Sequence, residues 1–454
     1  MRKMATFAVA MKALDQKIID KYNVPVPRYT SYPPANYFTE YNEDGYKRAI
    51  SQSNSALDNN ISFYIHFPYC PRLCHYCACN SYSMPAGDAS SKYIATLHKE
   101  LDMIVPMISR GRKVSQIHYG GGTPTAMPTS AIKELNDHIF SNFETIDRPE
   151  VAIECHPGYL GETQWHELAD AGFTRMSIGV QDMNLEVLKT VNRKPSLMPL
   201  GEVFDILRSR KIRINLDFLY GLPKQTPESF LATIENAIAL GPDRLVTFSY
   251  AHVPWLKKAQ TLLEKAGLPS PETKEQMFET AAQALANAGY VRVGMDHFVK
   301  PTDELYEALQ CHKLHRNFQG YCTRRTTAQV YALGVTGISQ LETAYIQNTK
   351  DIAEYIATVD DGKSPVKKGH TLTADEQHTR GIIEQLMCNY HVELPHVDYE
   401  KYKSKLLEME ADGIVKIDGD TIIMTQEGTP FVRNVAAALD PLMANSKKSF
   451  SKPI

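Results

Sequence analysis

Between residues 61 and 290, short apolar or β-branched runs alternate with stretches of helical period, and the alternation repeats six times. The runs are ISFYIHF, SQIHYG, VAIEC, RMSIGV, IRINLDFLY and RLVTFSY. The helical stretches fall near 91–105, 129–141, 163–171, 198–209, 227–239 and 272–288. Parallel strands cannot be joined by a tight turn, so repeated β-α units imply a parallel sheet with helical crossovers. An open sheet and an incomplete barrel both fit, and periodicity does not separate them. With 454 residues, 43% of them hydrophobic and 22% charged, the chain has material for more than one globular unit.

The flanks break this rhythm. Residues 1–60 are irregular, and Pro27-Arg28-Tyr29-Thr30-Ser31-Tyr32-Pro33-Pro34 predicts an extended arm, because prolines at that density exclude a helix. The opening MRKMATFAVAMKALDQKI reads as a helix, not a signal peptide, which predicts a cytoplasmic protein. The barrel unit is expected over 61–300, and an extension and linker over 301–370. Residues 371–454 read as a mostly helical, winged-helix-like domain. Its expected parts are a helix over 372–390 with Thr373 as N-cap, a helix over 398–411, a hairpin turning at Asp418-Gly419 and a helix near 426–443. The tail KKSFSKPI is expected to be disordered. Between 398 and 427 acidic side chains outnumber basic ones, and the net charge is −3, so nucleic acid is not an expected partner. No apolar run approaches the ~20 residues that a membrane-spanning helix needs.

Four of the eight cysteines, Cys70, Cys74, Cys77 and Cys79, fall within ten residues. Clustering of that kind points to metal or redox chemistry in a reducing compartment. Zinc normally takes two separated pairs of ligands, which this run lacks. Three thiolates from Cys70, Cys74 and Cys77 can hold a [4Fe–4S] cluster with one iron left open, since such clusters usually take four. An open iron can chelate the amino and carboxylate groups of S-adenosylmethionine (SAM), whose reductive cleavage gives a 5′-deoxyadenosyl radical. Alternation along the chain would turn Cys79 away from the ligand side, leaving it as a nearby thiol.

The cysteine loop follows the first strand directly. Other unusual residues fall at the ends of later strands: Gly120-Gly121-Gly122-Thr123, Glu154, Gln181, Asp217 and Ala251. In a βα barrel these ends converge on one rim, where active sites sit. The glycines lack the lysine of a phosphate loop and instead let backbone approach a ligand closely. Glu154 is read either as a core-edge carboxylate or as a partner for a cationic ligand group. Asp217 is costly to bury without a partner, and a ribose hydroxyl would supply one.

The spacing Cys70-x3-Cys74-x2-Cys77 resembles the radical SAM signature. Over nearly its whole length the chain resembles the oxygen-independent coproporphyrinogen III oxidases. The resemblance is carried by KYNVPVPRYTSYP at 21–33, YIHFPYCPRLCHYCACN at 64–80, IHYGGGTPT at 117–125, SIGVQDMN at 177–184, YGLPKQTPESF at 220–230, GMDHF at 294–298 and HRNFQGY at 315–321.

This resemblance implies a partial (β/α)6 TIM-like barrel with an N-terminal arm and a helical C-terminal domain. It also implies one [4Fe–4S] cluster on Cys70, Cys74 and Cys77, and two SAM molecules. Matching positions give Tyr64, Gly121 and Glu154 to the SAM nearest the cluster. Gln181, Arg193, Asp217, Tyr76, Gly122, Thr123 and Ala251 match positions that hold SAM, and Ile338 another contact. Phe318 and Gln319 lie in a motif near the second molecule. Cys79 and Tyr64 are the catalytic candidates.

The implied reaction turns two propionates of coproporphyrinogen III into vinyl groups, giving protoporphyrinogen IX in heme biosynthesis. A low-potential donor such as flavodoxin or ferredoxin and a monomeric state belong to the same resemblance. A substrate with four carboxylates calls for cationic anchors, for which Arg28, Arg316, Arg324 and Arg325 are candidates. The tyrosine-rich arm is a candidate gate over the pocket. The chain departs from the family pattern at Cys155-His156, where an aspartate is usual, at Ala78, where a glycine is usual, and across 324–329. Two related functions compete: a heme-delivery protein without oxidase activity, and a heme-degrading radical SAM methyltransferase. The arm and Cys79 argue against both.

Overall fold

A computed structural model describes residues 16–56, 58–327 and 329–453. The six repeats form a run of adjacent parallel strands: β1 (Asn60–Phe67), β2 (Lys113–Gly121), β3 (Glu144–Cys155), β4 (Arg175–Gln181), β5 (Arg213–Tyr220) and β6 (Arg244–Ser249). Each pairs in parallel with the next. Their crossovers carry α1 (Ala89–Ile104), α2 (Thr129–Asn142), α3 (Glu162–Ala169), α4 (Leu200–Ser209) and α5 (Pro227–Leu240), and α6 (Pro271–Asn287) follows β6. The sheet has two free ends, so the barrel is partial.

The periodicity explains the layering. Phe63, Ile65, Ile117, Ile153, Ile178 and Leu216 point from the strands to the helical layer. There they meet the apolar stripes of the helices, among them Leu97, Leu101, Ile132, Trp165, Phe204 and Phe230. Helix α5 starts on a capping box at Thr226 and ends at Gly241 in the left-handed region, φ +64°.

Residues 301–370 do more than link. Val330–Leu333 lies parallel to β1, and Ile338–Gln340, Ala344–Asn348 and Val366–Thr371 extend the sheet antiparallel from there. The two-residue strand Thr39–Glu40 of the arm caps that edge. Most of the helix expected over the first eighteen residues lies outside the described residues; its end, Gln16–Tyr22, is helical.

In the C-terminal part, Ala374–Asn389 is a helix capped by a Thr373–Glu376 box, and His396–Ala411 is a second. Val415–Asp418 and Thr421–Met424 form the hairpin, with Gly419 at φ +62°. The helix expected near 426–443 is instead broken into a turn at Thr429–Phe431, a helix at Val432–Ala438 and a turn at Pro441–Asn445, because Pro430 and Pro441 cannot continue a hydrogen-bonded ladder. The tail is tied down rather than loose. The Arg433 guanidinium donates to the carbonyls of Ser451 and Lys452 and also to those of Val26 and Pro27.

Toward the amino-terminal ends of the strands an ion-pair network ties β3, β4 and β6 to the segment that follows. Arg175 pairs with Glu150 at 2.8 Å, Arg244 with Asp303 at 2.8 Å and Arg325 with Glu304 at 2.8 Å. Burial alone would raise the Glu150 carboxyl, but Arg175 and Arg244 hold it far below the usual carboxylate range. Arg324 bonds Glu384 at 2.6 Å. Arg324 and Arg325, expected as substrate anchors, are therefore committed to structural ion pairs.

Candidate functional site

The cysteine loop leaves β1 at Pro68 and returns at once. Tyr69–Cys70 pairs with Tyr82–Ser83, and Tyr82 N–H bonds the Pro68 carbonyl at 2.8 Å. Between these points His75 N–H bonds Val191 O at 3.0 Å, and the Asn192 amide bonds Leu73 O at 2.8 Å. Cys70, Cys74 and Cys77 line one cavity of about 170 Å³, and all three are free thiols. Among the described residues no three His, Cys, Asp or Glu side chains converge on a point suited to a single metal ion. The three thiols line this one cavity together, and thiolates are the ligands that an iron–sulfur cluster takes. Arg193 stands beside them, donating to the Tyr76 hydroxyl at 3.0 Å and reaching Cys74 Sγ at 3.7 Å. A fixed cation there offsets the charge that thiolates and a cluster would bring. The residues fit the group.

Cys79 departs from expectation. Residues two apart in an extended chain face the same side, so alternation does not turn Cys79 away, and the Cys79 thiol hydrogen-bonds Cys77. That bond lowers the Cys77 thiol to about 6 despite its burial, and it holds the Cys79 thiol well above its usual value. Burial pushes the Cys70 thiol up to about 11.

The strands supply the rest of the cavity: Gly122 and Thr123 directly follow β2, Glu154 is the penultimate residue of β3, Gln181 is the last of β4 and Asp217 lies within β5. The three glycines are sterically required. A Cβ on Gly120 would meet Glu154 Oε1 at 2.7 Å, one on Gly121 the His66 ring at 2.7 Å, and one on Gly122 the Pro68 carbonyl oxygen at 2.7 Å. Gly121 also has φ +117°. The Asp217 carboxylate finds partners within the protein, accepting from Ser177 Oγ at 2.6 Å and Asn215 Nδ2 at 2.8 Å. Burial still raises it to about 6, with Glu154 adding to the effect. Cys155 and His156, the departures from the family aspartate, sit in this cavity wall, and burial drives the imidazole of His156 down to about 3.

A second cavity of about 260 Å³ adjoins the first, and Cys79, Gly121 and Glu154 line both. It is bounded by Tyr64, His66, Phe318, Gln319 and Ile338. Tyr64 therefore faces this second space, while Gly121 and Glu154 of its expected set face both. The Tyr64 hydroxyl lies 3.2 Å from His66 Nδ1, and His66 Nε2 lies 3.0 Å from the Asn80 carbonyl. The carbonyl can only accept, so His66 carries its proton on Nε2 and Tyr64 donates. Burial lowers the pKa of His66 and raises that of Tyr64, which keeps both neutral. Ala251 lies in neither cavity. It borders a third, with Arg28, Thr30 and Ala78, and its carbonyl accepts from Gln260, whose amide also holds the Tyr76 carbonyl at 2.9 Å.

Sequence reasoning missed Gln260, His66, Ser177 and Asn215. Asn215 shares a strand face with Asp217, two residues on, whereas only the register of β4 against β5 brings Ser177 to it.

The radical SAM superfamily profile matches residues 64–237. An oxygen-independent coproporphyrinogen III oxidase of Helicobacter pylori is 36% identical, over 98% of this chain and 100% of that one. One of Synechocystis is 34% identical, over 96% and 97%. The chain belongs to the oxygen-independent coproporphyrinogen III oxidase family. The solved coproporphyrinogen III oxidase of Escherichia coli, described as a radical SAM enzyme, superposes with a TM-score of 0.87 at 35% identity, over 94% of this chain and 99% of that one. This family is one of oxidoreductases, and the fold of its radical SAM domain is the one described above.

Proposed function

We propose that the chain carries out the oxidative decarboxylation of two propionates of coproporphyrinogen III, giving the two vinyl groups of protoporphyrinogen IX. For each propionate one hydrogen atom passes to a 5′-deoxyadenosyl radical, which becomes 5′-deoxyadenosine, one electron passes to a one-electron acceptor, and carbon dioxide leaves. The observation that carries the reading is the pair of cavities that meet at Cys79, Gly121 and Glu154, one of them ringed by the three thiols. Two adjoining spaces suit two SAM molecules, with Cys70, Cys74 and Cys77 as the cluster's ligands. When bound, the reduced cluster supplies the electron that cleaves SAM and yields the hydrogen-abstracting radical.

The chain's own residues position the reactants. Arg193 holds positive charge at Cys74. The N–H groups of Gly122 and Thr123 bond the carbonyls of Phe67 at 2.7 Å and Tyr69 at 3.0 Å, which pins this turn against the cysteine loop and leaves its backbone as a close wall for a ligand edge. Asp217, already held by Ser177 and Asn215, has lone pairs left for a hydroxyl. Glu154 stands at the shared wall, where a cationic group in either cavity meets it. The neutral Tyr64–His66 pair fixes the far side, and Ile338, Phe318 and Gln319 close the second space. Cys79, bonded to Cys77 and open to both cavities, is the thiol placed to act next to the radical. A cytoplasmic location, a monomeric state and a donor such as flavodoxin or ferredoxin belong to this reading and rest on the resemblance.

The test is an anaerobic incubation of reconstituted enzyme with SAM, a reductant and coproporphyrinogen III, followed by chromatography for vinyl products. Products are expected from the wild type and none from Cys70→Ser, Cys74→Ser or Cys77→Ser, each of which should also lose the brown absorbance of the cluster. Heme binding without any vinyl product would sink the reading in favour of a delivery protein.

A further inference from the structure

Beside the rim of the barrel lies a cavity that none of the residues discussed so far explains. Tyr220 and Ser249, the last residues of β5 and β6, form its floor. Its walls are aromatic, from Phe248 and Phe278. Five cations reach it from four parts of the chain: Arg28 from the arm, Lys274 from α6, Arg292 and Arg316 from the segments that follow, and Arg433 from the C-terminal helix.

Their bonding is unusual. Among the described residues, no carboxylate forms an ion pair with Arg28, Lys274, Arg316 or Arg433. Arg433 is consumed by backbone carbonyls of the arm and the tail. Lys274 Nζ reaches only the Tyr250 carbonyl, at 3.4 Å. Arg316 donates one Nη1 bond to the carbonyl of Arg28 at 2.8 Å, and its buried Nε has no partner at all. Arg292 lies over the Phe278 ring and bonds two carbonyls. The carboxylate that faces them, Asp296, is held by His297 at 2.7 Å.

Glu275 and Glu279 also line the space from α6. Burial raises both, Glu275 to about 7, so near neutrality Glu275 is only partly charged. Burial followed by mutual repulsion lowers Lys274 to about 8 and Arg433 to about 9, with Arg28 the neighbour responsible in both cases. Five cations held this close, with Asp296 the one carboxylate that stays ionised among them, carry a surplus of positive charge, so the missing component is negative.

We infer that this cavity anchors the substrate's non-reacting propionates, with Arg28, Lys274 and Arg316 as the carboxylate-binding side chains and the aromatic walls against a pyrrole edge. The inference rests on the function proposed above and assigns the substrate end of that same site. Arg316 is followed directly by Asn317, Phe318 and Gln319, which line the cavity beside the cluster. The anchor and the reaction space are thus consecutive along one strand and turn. The C-terminal part gains a role, because Arg433 holds the Arg28 segment in place. These residues are positioning residues and take no part in the bond-breaking step.

The test uses the full-length reconstituted enzyme and coproporphyrin III, the fluorescent oxidised form of the substrate, with its tetramethyl ester as the uncharged control. Lys274→Gln and Arg28→Gln are expected to weaken coproporphyrin III binding at least tenfold each. Ester binding, SAM binding and iron content should stay at wild-type values, and Lys274→Arg should restore the acid's affinity. Removal of one charge-assisted bond commonly has an effect of that size. Unchanged acid affinity in both variants, or an equal loss for acid and ester, overturns the inference even if the wild type forms vinyl products. A wild type that binds the acid through these cations and yields no vinyl product supports the anion site and sinks the proposed function alone.

Discussion

Gly122 shows how narrowly the site is built. The atom its missing side chain would strike is a backbone oxygen of the cysteine loop, which has no rotamer to yield. Gly122→Ala is therefore expected to push the loop aside and cut iron incorporation to less than half of the wild type, measured by iron assay after anaerobic reconstitution. Full incorporation would mean that the loop can shift. At this scale the sequence was readable where chemistry demands a spacing, as with Cys70, Cys74 and Cys77. It was not readable where neighbours arrive from other strands. The partners of Asp217 sit on β4 and β5 at positions that look like ordinary strand polar residues. Cys79 lies on the side of Cys77 because residues two apart in an extended chain share a face, the opposite of the orientation expected from alternation. Arg324 and Arg325 looked like free anchors until Glu384 and Glu304 appeared opposite them.

Among the elements, α1 is tied to the added strands by one buried carboxylate. Glu100 accepts from Gly334 N–H at 2.8 Å, Asn348 Nδ2 at 2.6 Å and the Tyr355 hydroxyl at 2.5 Å. Burial nevertheless pushes it up to about 7. A carboxyl raised by folding contributes its stability while protonated: the contribution is whole below the ordinary value of 4.5 and is lost as pH rises through about 7. The free energy of unfolding should accordingly fall between pH 5 and pH 8, by about 3 kcal/mol at most for this group. Glu100→Gln should remove that part of the slope, and an identical slope in the variant would assign it elsewhere. The six β-α units were legible as elements because packing on both faces of a parallel sheet forces long apolar runs. The helix expected near 426–443 was not, because the apolar pattern runs on through Pro430 and Pro441 although the backbone cannot.

For the molecule as a whole, the arm is an integral part of the C-terminal core. Tyr29 and Tyr32 both donate to Asp440, each at 3.0 Å, and pack among Leu386, Phe431 and Val435. Tyr29 and Tyr32 are thus held in the C-terminal core, while Arg28 beside them lines the cation-rich cavity. Asp440→Ala would leave two buried hydroxyls unpaired, at about 1–3 kcal/mol each. The expected result is faster proteolytic cutting within residues 16–40 with iron content unchanged; wild-type resistance would show that the apolar contacts suffice. No helix among the described residues is long and apolar enough to cross a membrane.

The clamp made by Arg433 also imposes an order on assembly. Its partner Pro27 lies 406 residues earlier in the chain. During synthesis the cysteine loop and all six parallel strands emerge long before the guanidinium that fastens the Arg28 segment exists. The three thiols and the six strands around them are thus made well before the clamp that completes the cation-lined cavity.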